Sequence, residues 1–569
     1  MSTSQLQSGY SGGGGSSADE KAKVSSNDTT SGYLNGKLVA GTNITLTENN
    51  NGGDETLTIS AAGGGGGLTG FTGSQNSTGV NITVNASQLL ADAASANADI
   101  VLQPKGQGAI LAQLPDGTTT GGNKRNSYSV DLQTFRSNAN QVASGAYSVI
   151  AGGSSNRVSS SYSSITGGIN NSAVNDFSFI GGGNGNAGLN NYAAVVGGQA
   201  NQNYGQHAFI GGGQSHFILA THATISGGFQ NNINGGNYAF IGGGQNNVAP
   251  GNSSVLGGGS ANQANSSFCV VVGGQSNRTG SSATNAVCVG GNSNVAGGSS
   301  SFVGGGSLNS CALAASNAVI SGGTNNLTEA TYTVICGGQS NAIQQAHGFI
   351  GGGSANNANG NHSVISGGNG NRTHAQYTAI IGGDNNETFG LNSSVLGGRA
   401  NIAIGDFSAV LGLNATSSNY GSVVHASGGF ASVNGSCQTE NYVQRTITTT
   451  NAQTELTQDG QAAGVNVAAS MRIANDSTYA FDILLIARRV DADNESAAWR
   501  FTGCIDNNAG TTAFVGTPTN SVLGDDSSGV WVANIVADNT NDRLTLLVTG
   551  ENGKTIRWAA TIRMIKITG

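Results

Sequence analysis

Side chains able to do chemistry are few in this 569-residue chain, and their spacing suits chemistry poorly. Glycan hydrolysis needs two carboxyl groups about 5–10 Å apart. Between Gly152 and Gly412 only Asp384 and Glu387 share a loop, while Asp176, Glu329 and Asp406 stand far apart. Asp491, Asp493 and Glu495 could ligate a cation, but a solvated hairpin tip is the plainer reading of that turn. The histidines (His207, His216, His222, His347, His362, His374, His425) show no i, i+4 pair on a helix and no Ser or Cys partner motif. Gly550-Glu-Asn-Gly-Lys554-Thr555 is two residues too short for a phosphate loop and reads as a hairpin turn. Cys269, Cys288, Cys311, Cys336, Cys437 and Cys504 lack zinc-ligand spacing and read as small hydrophobes in a reducing compartment. The expectation is therefore no catalytic residue, no cofactor, no metal and no enzyme.

What recurs is structural. A ladder of single apolar residues runs through Ile150, Ile165, Ile180, Val195, Ile210, Ile225, Phe240, Leu256, Val271, Cys288, Val303, Ile320, Ile335, Ile350, Ile365, Ile380, Val395 and Val410. The step is fifteen residues, slipping to sixteen once and seventeen twice. In phase with it runs a polar ladder: Asn156, Asn171, Asn186, Asn201, Asn231, Asn247, Asn262, Asn277, Asn294, Asn309, Asn326, Asn341, Asn356, Asn371, Asn386 and Asn401, with His216 in the one missing place. Each rung but the last is followed within three positions by paired glycines, and a small residue stands two before it, as in Ser363-Val-Ile365-Ser-Gly367-Gly368. A fixed period of this length marks a solenoid. Small residue and rung share a strand face. The residue after the rung faces the other way and varies freely. Glycine permits the positive φ of sharp turns, and Asn tolerates the same region and can hydrogen-bond from coil to coil.

Composition sets the bounds. Glycine supplies 93 residues, proline 4, charged residues 9%, and the net charge is -8. Such sequence could be disordered, but a disordered segment has no reason to keep a phase. The charge argues against nucleic-acid partners and a basic membrane patch. The apolar runs are too short to span a bilayer, so no membrane insertion is expected, and no secretory signal is visible. The domains read as a flexible leader over 1–32, a β-hairpin segment over 33–62 turning at Asn49-Asn-Asn-Gly-Gly, and a glycine linker over 63–67. A small β-rich domain follows over 68–138, with a short helix over Gln88–Ala98 and strand candidates at Val80–Val84 and Ala109–Leu114. The repeats occupy 139–417, a transition 418–440, and an antiparallel β-sandwich 441–569 carrying Trp499, Trp531 and Trp558, core residues rather than sugar platforms.

Eighteen coils stack to roughly 85 Å at one strand spacing each. Burying a Val or Ile is worth about 1.5–3 kcal/mol, against about 1–2 kcal/mol per ordered residue. A lone coil loses that comparison, so the rungs are expected to face a trimer axis and be covered by other copies. Histidines three places before a rung (His207, His222, His347, His362) would then recur around the axis, leaving an axial ion open.

The repeats resemble the left-handed parallel β-roll of YadA-like trimeric adhesin heads, with their Ser/Ala-x-apolar-x-Gly core, over roughly Asn140 to Gly412. The doubled glycines and the Asn ladder depart from that family. Leu38–Leu46, Leu102–Ile110, Gly428–Glu440 and the stretch from Tyr442 onward are similar to segments of tailed-bacteriophage tail fibre proteins. That resemblance implies an all-β homotrimeric virion tail fibre that attaches a phage to its host, assembled in the host cytoplasm. It implies docking on other tail or baseplate proteins through the N-terminus and on a host glycan or protein through the C-terminal domain. A purely structural appendage, whose last domain only trimerises, and a polysaccharide-depolymerising tailspike are the alternatives. The residues that would contact a receptor are not legible.

Overall fold

The computed structural model describes residues 102–430, 433–461, 470–492, 495–527 and 529–569, together with four strands nearer the N-terminus. The chain divides into two units, Met1–Gln103 and Pro104–Gly569. In the first, Ile44–Asn49 pairs antiparallel with Thr56–Ala61, and Phe71–Asn76 with Ala86–Ala91. The helix expected over Gln88–Ala98 is thus replaced at its start by a strand, in which Gln88 pairs with Ser74. The leader, the glycine linker and Val80–Val84 lie outside the described residues.

The second unit is all β. A parallel solenoid of about 20 turns is followed by antiparallel strands. It begins earlier than the sequence period: Ile110–Leu111 and Val130–Asp131 are the first strands of its long sheet and join it to Val149–Ile150. Residues 104–138 therefore belong with the roll and not to a separate domain. Each turn contributes one strand to the long sheet (Ser164–Ile165, then Phe179–Ile180), a single-residue bridge past the glycines (Ile169 to Asn184), and a strand on the opposite side (Ser172–Ala173).

Inside, the rungs are fully buried within one chain, Ile150, Ile165, Ile210 and Ile365 among them. They need no cover from other copies, contrary to the expectation from the sequence. They are covered by a second inward row eight positions on: Val158, Ala173, Ile218, Ile233, Ala296, Cys311, Ile343, Ala358 and Ala403, all buried. That row escaped notice because it also holds Gly188, Asn203 and Thr279, so it is not apolar at every coil. With Ser163 or Ala208 two before the rung also buried, each turn closes a narrow core of three side chains. One rung is reassigned. Ile241, not Phe240, points inward: Ile241 is fully buried and Phe240 is 38% exposed. The sixteen-residue step therefore falls before Ile241, in the loop ahead of Tyr238.

The Asn ladder is a buried hydrogen-bond relay. Asn341 Nδ2 donates to the carbonyls of Gly337 (2.9 Å) and Gly353 (3.0 Å), and its Oδ1 accepts from the Asn356 N–H (3.1 Å) and Nδ2 (3.1 Å). The ladder Asn is not itself the positive-φ residue. The residue before it is, at Ser155, Asn170, Ala200 and Ser340. The N-terminal end closes on polar groups. Gln133 takes the place of an Asn, bonding both the N–H and the carbonyl of Asn156. Asp131 sits buried at a rung position, bridged to buried Arg125 (2.7 Å) and Arg136 (3.2 Å).

The long sheet does not stop at the last coil. Val423–Ser427 pairs parallel with Ala409–Leu413 and antiparallel with Cys437–Thr448. From there the sheet continues through Ile556–Thr568, Ser477–Arg489, Ser496–Asn508 and Thr519–Asp525. A three-stranded sheet (Gln453–Glu455, Arg543–Thr549, Val532–Asp538) supplies the second layer. Between the layers Trp499, Trp531 and Trp558 are buried, with Trp558 centroids 5.6 and 5.9 Å from the other two.

Asn341→Leu fills the space but strands the Gly337 carbonyl and the Asn356 N–H, and leaves the Gly353 carbonyl with the Gln339 N–H alone. At about 1–3 kcal/mol per buried group left unpaired, a loss of roughly 3–5 kcal/mol is expected. Hydrogen exchange should report it as faster exchange over 337–356; unchanged protection there would count against the relay.

Candidate functional site

The chemistry-bearing residues of the roll are engaged in structure. Asp384 bridges to Arg399 at 3.3 Å and accepts from Asn369 Nδ2 at 2.8 Å. Asp491 and Glu495 bond Arg489, and Glu495 also holds Lys554; Asp493 lies outside the described residues. Lys554 follows a turn that leads into the strand Ile556–Thr568 and not into a helix. Among the described residues no group of three or more His, Cys, Asp or Glu could hold a metal ion, and no helix is long and apolar enough to cross a membrane. Cys269, Cys288 and Cys311 are free and buried in the roll, whereas Cys336 is exposed. Burial pushes the Cys288 thiol up to about 12 and Cys311 to about 11.

The histidines three places before a rung sit at an outer corner, in positive φ, within a stack of rings. Tyr128, Tyr147, Tyr162, Phe177, Tyr192, His207, His222 and Tyr238 follow one another at centroid separations of 4.5–5.1 Å. Tyr332, His347, His362 and Tyr377 form a second run. Ring faces in these runs are used by neighbouring rings, which leaves edges outward and gives no broad platform for a sugar. His216 is different. It is buried, its Nδ1 accepts from the Asn231 N–H at 3.1 Å in the manner of a ladder Asn, and its Nε2 has no partner. Burial holds its pKa below the ordinary value.

Two surfaces remain with no internal use. One is the outer face of the long sheet, on either side of each rung. Phe179, Phe209, Phe240, Val255 and Val364 precede rungs and are 36–40% exposed; Val196, Val272, Ile381 and Leu396 follow rungs and are 46–54% exposed. Neither row contains a charged residue from Val149 to Leu411. The face continues across the C-terminal sheet through Val423, Val443, Ile447, Leu484, Ile486, Ile565 and Ile567, all exposed.

The other is a cleft of about 760 Å³ where the last coil meets the sandwich, lined by Asn419, Glu440, Arg472, Tyr479, Asn507, Asp542 and Lys566 among others. Asn419 anchors its rim, donating to Tyr442 Oη at 3.0 Å and accepting from the Arg472 N–H at 3.1 Å. Glu440 is buried and accepts from Gln438 Nε2 at 2.6 Å. Burial pushes its carboxyl up and the Lys566 amine down from their ordinary values. None of these residues was singled out from sequence. The signal was there: Lys566 continues the inward row Trp558, Ala560, Ile562, Met564, and Glu440 shares the inward face of Tyr442. A charge in such a row has to be explained.

No protein-family model matches the chain, and no curated protein matches it. Among solved structures it is similar to the tailspike protein gp49 of Acinetobacter baumannii bacteriophage Fri1, a capsular polysaccharide depolymerase (8% identity over 80% of each chain, TM-score 0.18). It is also similar to the tailspike protein of Acinetobacter baumannii phage AM24 (8% identity over 81% of this chain and 78% of that one, TM-score 0.14). Scores this low do not establish a common fold. The first of these proteins is an enzyme, which stands against the expectation that this chain is not one.

Two outcomes test the buried groups. His216 is neutral in the fold and protonates when unfolded below about pH 6.5, so its contribution holds above that pH and is lost as pH falls. His216→Asn restores donors to the glycine carbonyls; it should raise stability by roughly 1 kcal/mol and flatten the loss between pH 7 and 5 in denaturant titrations. At pH 8 iodoacetamide should leave Cys288 and Cys311 untouched in the native protein and modify both once it is unfolded, read by mass spectrometry.

Proposed function

We propose that the chain is a bacteriophage tail protein that attaches the virion to the host cell surface, working as a homotrimer. The outer face of the long sheet carries this reading. Along the rod it is an apolar stripe without a charge, and on the C-terminal sheet its apolar residues continue between Arg445, Asp482, Arg557 and Arg563. Soluble monomers rarely expose contiguous apolar patches beyond a few hundred Å². Further copies of the same chain fit it best, because only they carry the same period and can match every coil in register. In this arrangement the flanking residues, and not the rungs, meet at the axis. The leader over 1–32 docks on the particle, the roll sets reach, and the sandwich over 441–569 presents the cleft three times, which makes weak contacts additive through effective concentration.

A depolymerising tailspike is the second reading. The cleft favours it by holding two carboxyl groups, Glu440 and Asp542, of which Glu440 is buried with its proton affinity raised. Incubation of the full chain with capsular polysaccharides, followed by sizing of the polymer, tests it directly.

Assembly is tested by paired substitutions. Phe209→Glu with Phe349→Glu should release single chains that keep their β circular dichroism, read by light scattering, whereas Ile210→Asp should unfold the coil itself. A Phe209→Glu, Phe349→Glu protein that remains trimeric removes the stripe from the interface. Attachment is tested by decorating a panel of capsulated bacteria with labelled full chain: selective binding to some strains is expected, and binding to none rejects the reading.

A further inference from the structure

The cleft beside the last coil is lined by buried polar groups: Glu440 and Lys566, opposite charges that attract one another, and Asn507, one atom of which the fold leaves unpaired. Asn507 lines the cleft and is 1% exposed; its Nδ2 donates to the Ile473 carbonyl at 3.2 Å, but its Oδ1 has no partner. Buried acceptors of this kind are rare in folded proteins, and each requires an explanation. Lys566 is 8% exposed and lies 5.8 Å from the centre of the Tyr479 ring. Tyr479 Oη accepts from the Ala474 N–H at 3.3 Å, leaving its own hydroxyl proton to donate. Glu440 is gripped on one oxygen by Gln438, which is itself clamped by the N–H and carbonyl of Thr416 at 2.8 and 2.7 Å. The carboxyl is thus held in place by two further residues. A protein that needed only a stable junction here would gain by apolar packing in place of a buried amine and a buried acid.

The inventory identifies the ligand class. The cleft offers an amine donor, a phenolic donor and two acceptors within one concavity, whose volume lies in the range of small-ligand sites, about 300–1,000 Å³. A simple anion would meet Glu440 and Asp542, and an apolar ligand would meet mostly polar walls. Vicinal hydroxyls, each able to donate and accept, match such a set. We infer that this cleft is a saccharide-binding site in which Asn507 Oδ1 and Glu440 accept from sugar hydroxyls and Lys566 Nζ donates to a sugar oxygen. The inference rests on the attachment reading and gives it an address: contact with the cell surface is made at the junction of roll and sandwich, three times per trimer.

The test uses the full chain on a printed array of bacterial capsular and lipopolysaccharide glycans. Wild type should bind a subset. Lys566→Met, which keeps the stem over Tyr479, and Asn507→Leu should each weaken binding of the same glycans tenfold or more, while Leu523→Ala on the opposite sheet face leaves it unchanged. Thermal unfolding checks that each variant is folded. A measurement without mutation guards against misfolding: in wild type, a bound glycan should slow hydrogen exchange in 470–479 and 560–569. Glycan binding that survives both cleft substitutions in folded protein, or protection appearing elsewhere, overturns the cleft assignment and leaves attachment standing. Cells decorated by a chain that binds no glycan overturn it in favour of a protein receptor. Attachment itself fails only if no strain is decorated.

Discussion

The roll depends on one requirement: backbone groups at its glycine corners must be paired inside a core too thin to admit water. Gly168 runs at φ +85°, and a Cβ there would stand 2.2 Å from the Gly183 carbonyl oxygen of the next coil. Only glycine permits that approach. The approach leaves carbonyls facing inward, and each ladder Asn takes two of them, Asn156 bonding Gly152 and Gly168 at 3.1 and 2.9 Å. Its oxygen then holds the N–H of the next ladder Asn at 3.0 Å. Glycine and asparagine recur together because each solves the problem the other creates. A buried polar network of this kind stabilises only when every member is satisfied, which is why the phase holds over so many coils.

The corner before each long-sheet strand shows how local cost is offset. A non-glycine residue in the left-handed region costs roughly 1–2 kcal/mol. Where the corner is Asn285, Asn317 or Asn392, the side chain tolerates the conformation. Where it is Tyr or His, the ring stacks on the ring one coil away, and such pairs contribute about 0.5–1.5 kcal/mol. Tyr147 between Tyr128 and Tyr162 is the pattern. Phe268, between Ser253 and Asn285, has no stacked neighbour, and nothing in the structure explains it.

Period and phase were legible because a solenoid repeats its constraints, so eighteen noisy copies of one pattern add up. The two ladders and the strand at the rung followed from that, while the antiparallel end domain was legible from its own short strand patterns and turn residues. Three features were not legible. The second inward row was hidden because the narrow roll accepts Gly188, Asn203 or Ile218 at equivalent places, provided volume balances locally. Phe240 was taken for a rung because Phe240 and Ile241 are both apolar, and a single inserted loop residue decides which one turns inward. The cleft was hidden because it joins the inward faces of strands more than a hundred residues apart, Cys437–Thr448 and Ile556–Thr568. The view that a lone coil cannot shelter its rung overlooked that second row, and with it one chain's ability to close its own core.

The outer face then acquires a different meaning from free variation. Each rung preceded by Phe (Phe179, Phe209, Phe240, Phe302, Phe349) is followed by glycine (Gly181, Gly211, Gly242, Gly304, Gly351). The ring lies over that glycine: a Cβ at Gly304 would meet Phe302 Cε1 at 3.2 Å. In several coils a small preceding residue is matched by a large following one, as in Ala194 with Val196, Ala379 with Ile381 and Ser394 with Leu396, although Ser164 with Thr166 and Thr224 with Ser226 are small on both sides. Residues two apart share a strand face, so in the matched coils the summed volume stays nearly level. Solvent imposes no such balance, whereas a packed surface does. The extra residues of the three long coils fall between the second strand and the positive-φ corner, ahead of Tyr238, Asn285 and Asn317, and never on this face. An uncharged, uninterrupted face is what identical rods need in order to lie side by side along their whole length.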